Sequence, residues 1–240
     1  MLWMIVLLES LAAGFVQSVT GFGAGVIMML VLPYLLNVVH AATLASVVCA
    51  GLTISLAWKY RKKVDWKVLL PLILSYTGAQ SLTVHFVKSL DISRLSIVFG
   101  VFLVLLAVWY SFFNHRVHVK PRWYIGVLIC ALSGICGGLF GFGPMAALYL
   151  LPVTKDRDEY IGSTQMLFAF GNIANMAARL AGGLFPAFIL GPAMLGVAGI
   201  LLGKRMGLAW GERLSKERLS RIVYLFIALS GLIMIGKQLI

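Results

Sequence analysis

Charge is scarce in this chain, and acid is scarcer still. Of 240 residues only 12% are charged, and Asp and Glu together number 8. A soluble domain has about 25% charged and about 45–50% apolar residues. Here 61% are hydrophobic and the mean hydropathy is +0.97. Too little polar surface remains to wet a globule. This excludes an ordinary soluble enzyme, a disordered chain and a nucleic-acid module. Cysteine is also sparse. Cys49, Cys130 and Cys136 lie inside apolar stretches with no CxxC or Cys/His pattern around them, so neither a disulfide framework nor a metal site is expected. No Walker A pattern, zinc motif or arguable Ser/His/Asp set occurs, so we expect no ATP hydrolysis, no enzyme activity and no cofactor. The start, Met1 to Leu8, lacks a basic n-region and an Ala-x-Ala site, and is read as a retained first segment.

What is present is apolar sequence in blocks of membrane-spanning length. They run 2–36, 41–58, 67–87, 95–113, 123–152, 160–181, 184–203 and 219–236. Strands of a barrel would be shorter and would alternate, so the chain is expected to be helical. The order of one long and three ordinary blocks occurs twice. At an offset of 120, Gly21-Phe22-Gly23 meets Gly141-Phe142-Gly143, Thr43 meets Ser163 and Lys59 meets Arg179. We therefore expect a single membrane domain over 1–240, with repeat 1 at about 1–113, repeat 2 at about 123–240 and a linker at about 114–122.

A 35-residue helix is about 52 Å long, against a hydrocarbon core of about 30 Å. Both long blocks also carry glycines in mid-course, and Pro144 suits the first position of a new helix. Each long block is thus predicted to be two short arms broken at GFG. Charge then decides whether the break continues across the membrane or doubles back. If each long block crosses once, the 20 Lys and Arg divide evenly between the two sides. If each doubles back, only Lys88, Arg94, Arg179 and Lys237 stand apart from the other 16. The positive-inside rule favours the second arrangement. It puts both termini outside and the linker inside, and places the chain as a multi-pass protein of the cell (inner) membrane. Each half then makes three full crossings plus a hairpin, so the second half is inverted relative to the first. The excess of basic residues is assigned to a cytoplasmic face against anionic headgroups, not to nucleic acid.

The hairpin tips carry the chemistry. A helix beginning at each tip presents backbone N–H groups without intrahelical partners at the positive end of its dipole. Glycine lets a ligand approach that backbone. Candidate donors are the amides of Gly23, Ala24 and Gly25, and of Gly143 and Met145. Two such ends meeting near the midplane would bind an anion without a buried cation. Gln17, Ser18 and Thr20 lie beside the first break, with Thr43 and Ser46 on the next helix. Ser163, Thr164 and Gln165 follow the second break. Gln165, Asn172, Asn175 and Arg179 recur at helical spacing, a stripe that lines either a polar path or a helix contact. Arg179 either draws anions at the outer end or snorkels to headgroups. Glu9 either carries a coupling proton or reaches water near an arm end. His40 and His85 are read as interfacial, and glycines such as Gly196, Gly199 and Gly203 as packing positions.

The stretches from Gly14-Phe15 to Thr20-Gly21-Phe22-Gly23-Ala24-Gly25, and from Gly134 to Gly138-Leu139-Phe140-Gly141-Phe142-Gly143-Pro144, resemble the signature stretches of the TauE/SafE family. Gly162-Ser163-Thr164, opening the following helix, does so too. The likeness extends over nearly the whole chain and implies a membrane transporter exporting sulfite or organosulfonates. This chain departs from symmetry where Ala42-Thr43-Leu44 faces Gly162-Ser163-Thr164 and where Ala24 faces Pro144.

The expected fold is therefore an all-α polytopic membrane protein of two inverted repeats, each a glycine-broken hairpin followed by three transmembrane helices. The expected function is secondary transport of a small anion by alternating access. The expected site comprises Gln17, Thr20, Gly21, Phe22, Gly23, Thr43, Ser46, Gly141, Phe142, Gly143, Ser163, Thr164, Gln165 and Asn172, with Glu9 as coupling residue. A channel using the same hairpins as a constriction is the alternative. An intramembrane enzyme or assembly subunit would need a convergent acid/base pair, which the sequence lacks. The expected partners are the substrate anion and the bilayer, and a homo-oligomer is left open.

Overall fold

The computed structural model describes residues 2–86, 123–141 and 143–211, together with isolated positions from 215 to 229. The expected span at 95–113, nearly all of the one at 219–236, the linker at 114–122 and Phe142 lie outside the described residues.

Every regular element among the described residues is helical. The α-helices are α1 (Leu2–Thr20), α2 (Ala24–Leu35), α3 (Val38–Tyr60), α4 (Trp66–Phe86), α5 (Trp123–Phe140), α6 (Pro144–Val153), α7 (Arg157–Ala181) and α8 (Leu190–Gly211). Short 3-10 turns occupy Arg61–Lys63 and Ala187–Ile189. Three segments, Leu2–Thr20, Val39–Lys63 and Ala187–Gly211, are long and apolar enough to cross a membrane. Large apolar side chains such as Trp3, Met4, Leu74, Trp123 and Met194 are more than half exposed. Outward-facing apolar surface of that kind suits lipid.

Both breaks fall at GFG. Gly21 (φ 84°), Gly23 (φ 108°) and Gly141 (φ 78°) adopt left-handed backbone that L side chains rarely occupy. The Ala24 amide of α2 donates to Gln17 Oε1 on α1, and Ser10 Oγ of α1 donates to Met28 Sδ on α2. In the second half, Ser133 Oγ of α5 donates to the Gly143 carbonyl and accepts from the Ala146 amide on α6. The first arms are not short, as the sequence suggested. α1 has 19 residues and α5 has 18, against 12 in α2 and 10 in α6. Each first arm runs through its interior glycines, Gly14 in α1 and Gly134, Gly137 and Gly138 in α5, and stops only where a glycine takes positive φ, at Gly21 and at Gly141.

Glycine also sets the closest helix packing. α8 lies along α1, and a methyl group at Gly203 or Gly207 would fall on the Leu11 or Phe15 carbonyl. One at Gly199 would fall 2.8 Å from the Leu7 carbonyl. One at Gly196 would lie 2.6 Å from Val48 Cγ2. These glycines are packing positions, as read from the sequence. α4 and α5 pair in the same way. A methyl group at Gly134 would fall on the Tyr76 carbonyl, and one at Gly138 would lie 2.7 Å from the Gln80 carbonyl.

Among the described helices, α3 and α7 form a central antiparallel pair. Gly162 packs on Tyr60, Asn172 bonds to Thr53, Asn175 to Ser46, and Arg179 to Val39. α7 is rich in polar residues, and Gln165, Asn172, Asn175 and Arg179 are all buried on its inner side. Cys49, Cys130 and Cys136 are buried packing residues.

Candidate functional site

The two breaks lie at opposite ends of this central pair. Gly21 rests against the Tyr160 ring, near the start of α7, where a methyl group would come within 2.7 Å of Cε1. Gly141 rests against Ala42 and Ser46, near the start of α3. Gly21 and Gly141 themselves thus sit toward different ends of the pair. Residues of both GFG breaks and the N-termini of α2 and α6 that follow them nevertheless come together. They border a common internal cavity of about 30 Å³. That is room for about two water molecules.

The first break contributes Gln17, Phe22, Gly23, Gly25 and Val26 to the cavity wall, and the second contributes Gly141, Gly143 and Pro144. Thr53 of α3, Tyr76 of α4, and Phe168 and Asn172 of α7 complete the described lining. No carboxylate occurs in that lining. Sequence reasoning missed Thr53, Tyr76 and Phe168. Each is an isolated polar or aromatic residue in an apolar run, and only packing reveals which face of its helix meets the cavity.

The helix N-termini are partly satisfied from within. Ala24 N–H is taken by Gln17, and Ala146 N–H by Ser133. Gly25 and Val26 in α2, and Met145 in α6, are first-turn amides without an intrahelical partner. Of these, Gly25 and Val26 border the cavity. Pro144 has no N–H to offer, so the two ends are unequal donors.

A hydrogen-bonded chain holds the first tip. Gln17 Oε1 accepts from Ala24 N (3.0 Å), Gln17 Nε2 donates to Gln165 Oε1 (2.9 Å), and Gln165 Nε2 donates to the Gly21 carbonyl (2.5 Å). Tyr160 OH adds a bond to the Thr20 carbonyl at 2.9 Å. A second cluster holds the other tip. Arg179 Nε donates to Asn175 Oδ1 (2.7 Å), Nη1 to Thr43 Oγ1 (3.0 Å) and the Val39 carbonyl (3.2 Å), and Nη2 to the Gly138 carbonyl (2.9 Å). Asn175 Nδ2 approaches Ser46 Oγ and the Gly137 carbonyl. The polar stripe of α7 is thus a helix contact over Gln165, Asn175 and Arg179, and a cavity wall at Asn172.

The expected site residues accordingly divide. Gln17, Phe22, Gly23, Gly141, Gly143 and Asn172 line the cavity. Thr20 does not, because its hydroxyl closes the turn onto the Val16 and Phe22 carbonyls. Gly21 forms the turn, and Gln165 stands behind Gln17. Thr43 and Ser46 belong to the Arg179 cluster. Thr164 is fully buried, with its hydroxyl unpartnered. Ser163 borders a separate cavity of about 400 Å³, between α4, α5, α6 and the start of α7, beside Lys67 and Lys155. Glu9 is the eighth residue of α1 and only 7% exposed, so it does not reach water as one reading of the sequence allowed. Arg179 is 0% exposed and does not snorkel; its length is used to cross-link three helices. His85 is exposed, and His40 is half-buried and bonded to Asn37.

The chain is similar to a described bacterial protein over its full length. It is 23% identical to the probable membrane transporter protein YunE of Bacillus subtilis (strain 168) across 284 aligned positions, covering 100% of this chain and 98% of that protein. No solved structure gives a significant match. The model of the family described as sulfite exporter TauE/SafE matches residues 6–234. With a helical body, apolar outer surface and two glycine breaks around one cavity, the chain belongs to the TauE/SafE family of membrane transporters.

Proposed function

We propose that the protein is a secondary transporter of a small anion, with sulfite or a related sulfur oxyanion as first candidate. One observation carries this reading: the N-termini of α2 and α6 open onto the same buried cavity, whose described lining holds amide and hydroxyl groups and no carboxylate. Each helix end contributes about 0.3–1 kcal/mol toward an anion, and up to about 2 kcal/mol when partly buried. Neutral donors add hydrogen bonds without competing for the charge. At about 1.4 kcal/mol per tenfold, such a site binds in the micromolar to millimolar range, which allows release as well as capture.

In this reading the two glycine-broken hairpins enter the membrane from opposite faces, as inverted repeats would, and both termini face outward. Gln17, Gly23, Gly25, Thr53, Gly143 and Asn172 contact the anion. The Gln17–Gln165 chain closes the cavity toward the basic end of the bundle, and the Arg179 cluster closes it toward the other end. Alternating access would loosen one closure at a time. Glu9 is the candidate carboxylate for proton coupling.

The test is uptake in proteoliposomes across a panel of sulfite, sulfate, organosulfonates and cations. Saturable exchange of a sulfur oxyanion supports the reading. Fast, unsaturable conductance would establish a channel, and transport of cations alone would refute the anion site.

A further inference from the structure

Arg179 is an unusual residue to find where it is. It is completely buried inside a helical membrane protein, and its partners are an amide oxygen, a hydroxyl and two carbonyls. Among the described residues no ion pair joins it. Neutral acceptors satisfy its hydrogen bonds but leave its net charge in place. The C-terminal end of α5, at Gly138, offsets only part of it. A buried charge held at such cost is by default functional. Its position gives the function. Arg179 follows Asn172 by seven residues on α7, about 10 Å along the axis, and its side chain reaches back toward Asn175, that is, toward the cavity.

We propose that Arg179 is a fixed positive charge that makes the cavity select ligands by valence, favouring dianions over monoanions. This rests on the anion reading above, but it assigns to a residue outside the cavity a property that the helix ends do not confer. At about 10 Å and an effective dielectric constant of about 20, one unit charge changes binding on the order of tenfold per ligand charge. A dianion feels the effect twice over, on the order of a hundredfold. A residue that only braced the fold would weaken all ligands by one common factor.

The experiment measures inhibition of sulfite uptake by nitrate and by sulfate in proteoliposomes. Arg179→Gln removes the charge. Arg179→Lys keeps it. Asn175→Asp keeps the bond to Arg179 Nε and supplies a carboxylate that cancels the charge in place, so it stands in if Arg179→Gln does not fold. We expect Arg179→Gln and Asn175→Asp to weaken nitrate about tenfold and sulfate about a hundredfold, with Arg179→Lys close to wild type in the sulfate-to-nitrate ratio. Equal weakening of both ions, or a ratio in Arg179→Lys as low as in Arg179→Gln, overturns the inference. So does a wild type that takes up sulfite yet binds neither ion, while the anion reading stands. A wild type that takes up and binds no anion at all removes the anion reading itself.

Discussion

Gln17 and Gln165, 148 positions apart, bond side chain to side chain at 2.9 Å, and between them they tie both ends of the first glycine turn. Gln17 caps the helix that follows the turn, and Gln165 holds the turn's own carbonyl. Gln165→Leu would strand Gln17 Nε2 and the Gly21 carbonyl. An unsatisfied buried group costs about 1–3 kcal/mol in soluble proteins, whereas side-chain hydrogen bonds within membrane proteins average about 0.6 kcal/mol. We expect a loss of about 1–3 kcal/mol, read as a lower melting temperature in detergent, and faster labelling of a cysteine placed at Thr20. Unchanged melting and labelling would show that the tip is held by packing alone.

The basic residues supply a test of orientation. Arg61–Lys63 and the start of α7 lie at one end of the α3/α7 pair, and the turn at 182–189 lies at the other. Lys62→Cys and Ala187→Cys are both at exposed positions, and the native cysteines are buried. If the hairpins double back, an impermeant maleimide added to intact cells labels Ala187→Cys only, and Lys62→Cys reacts after the inner face is opened. Labelling of Lys62→Cys from outside would reverse the proposed orientation.

Much of this architecture was legible. Apolar length and mid-block glycine located the helices and both breaks, because continuous apolar sequence stays helical until a residue that tolerates positive φ interrupts it. Boundaries moved where local chemistry was overlooked. α7 begins at Arg157 because the Asp156 side chain caps the Glu159 amide, and α8 waits until Leu190 because the chain around Pro186 is extended. The tip glycines and the polar residues beside them were found, but not their division of labour. A hydroxyl at Thr20 and one at Thr53 look alike in sequence. Only the fold shows that both hydroxyls donate to nearby carbonyls of their own segment, and that Thr53 borders the cavity, accepting from Asn172, while Thr20 does not.

Glycine substitutions separate packing from ligand contact less cleanly than their positions suggest. A side chain at Gly143 would fall on the Ser133 carbonyl, so Gly143→Leu disturbs the fold as well as the site. Gly203→Ala tests packing alone. Its methyl group meets the Leu11 backbone, which cannot move independently, and overpacking of this kind costs about 1–3 kcal/mol. Gly78→Ala is the control, with nothing within 4 Å, and should leave stability unchanged or raise it by up to about 1 kcal/mol. Equal melting of the two variants would refute the close contact of α1 and α8.

Glu9 is buried in the middle of α1, where a carboxylate costs at least about 2.5–3.5 kcal/mol on insertion scales. If it carries the coupling proton, Glu9→Gln should retain exchange of anion for anion but lose acceleration by a pH gradient. Gradient-driven uptake equal to wild type would leave Glu9 with a structural role.

Asn172 offers the sharpest test of charge at the cavity itself. It lines the cavity on α7 and donates to Thr53 Oγ1. Asn172→Asp and Asn172→Thr have nearly the same volume as the native residue, and both lose the amide donor. They differ in that only Asp brings a negative charge. At about 5 Å and an effective dielectric constant of about 20, like charges repel by about 3 kcal/mol. Asn172→Asp should therefore bind anions at least about tenfold more weakly than Asn172→Thr. Lowering the pH neutralises an introduced carboxylate, so it should restore binding in Asn172→Asp and leave Asn172→Thr unmoved. The affinity for sulfate, whose own charge does not change over this range, measured in both variants across pH decides the matter. Equal loss at every pH would mean that the cavity reads size and hydrogen bonds but not charge, and the helix ends would then have no ligand to stabilise.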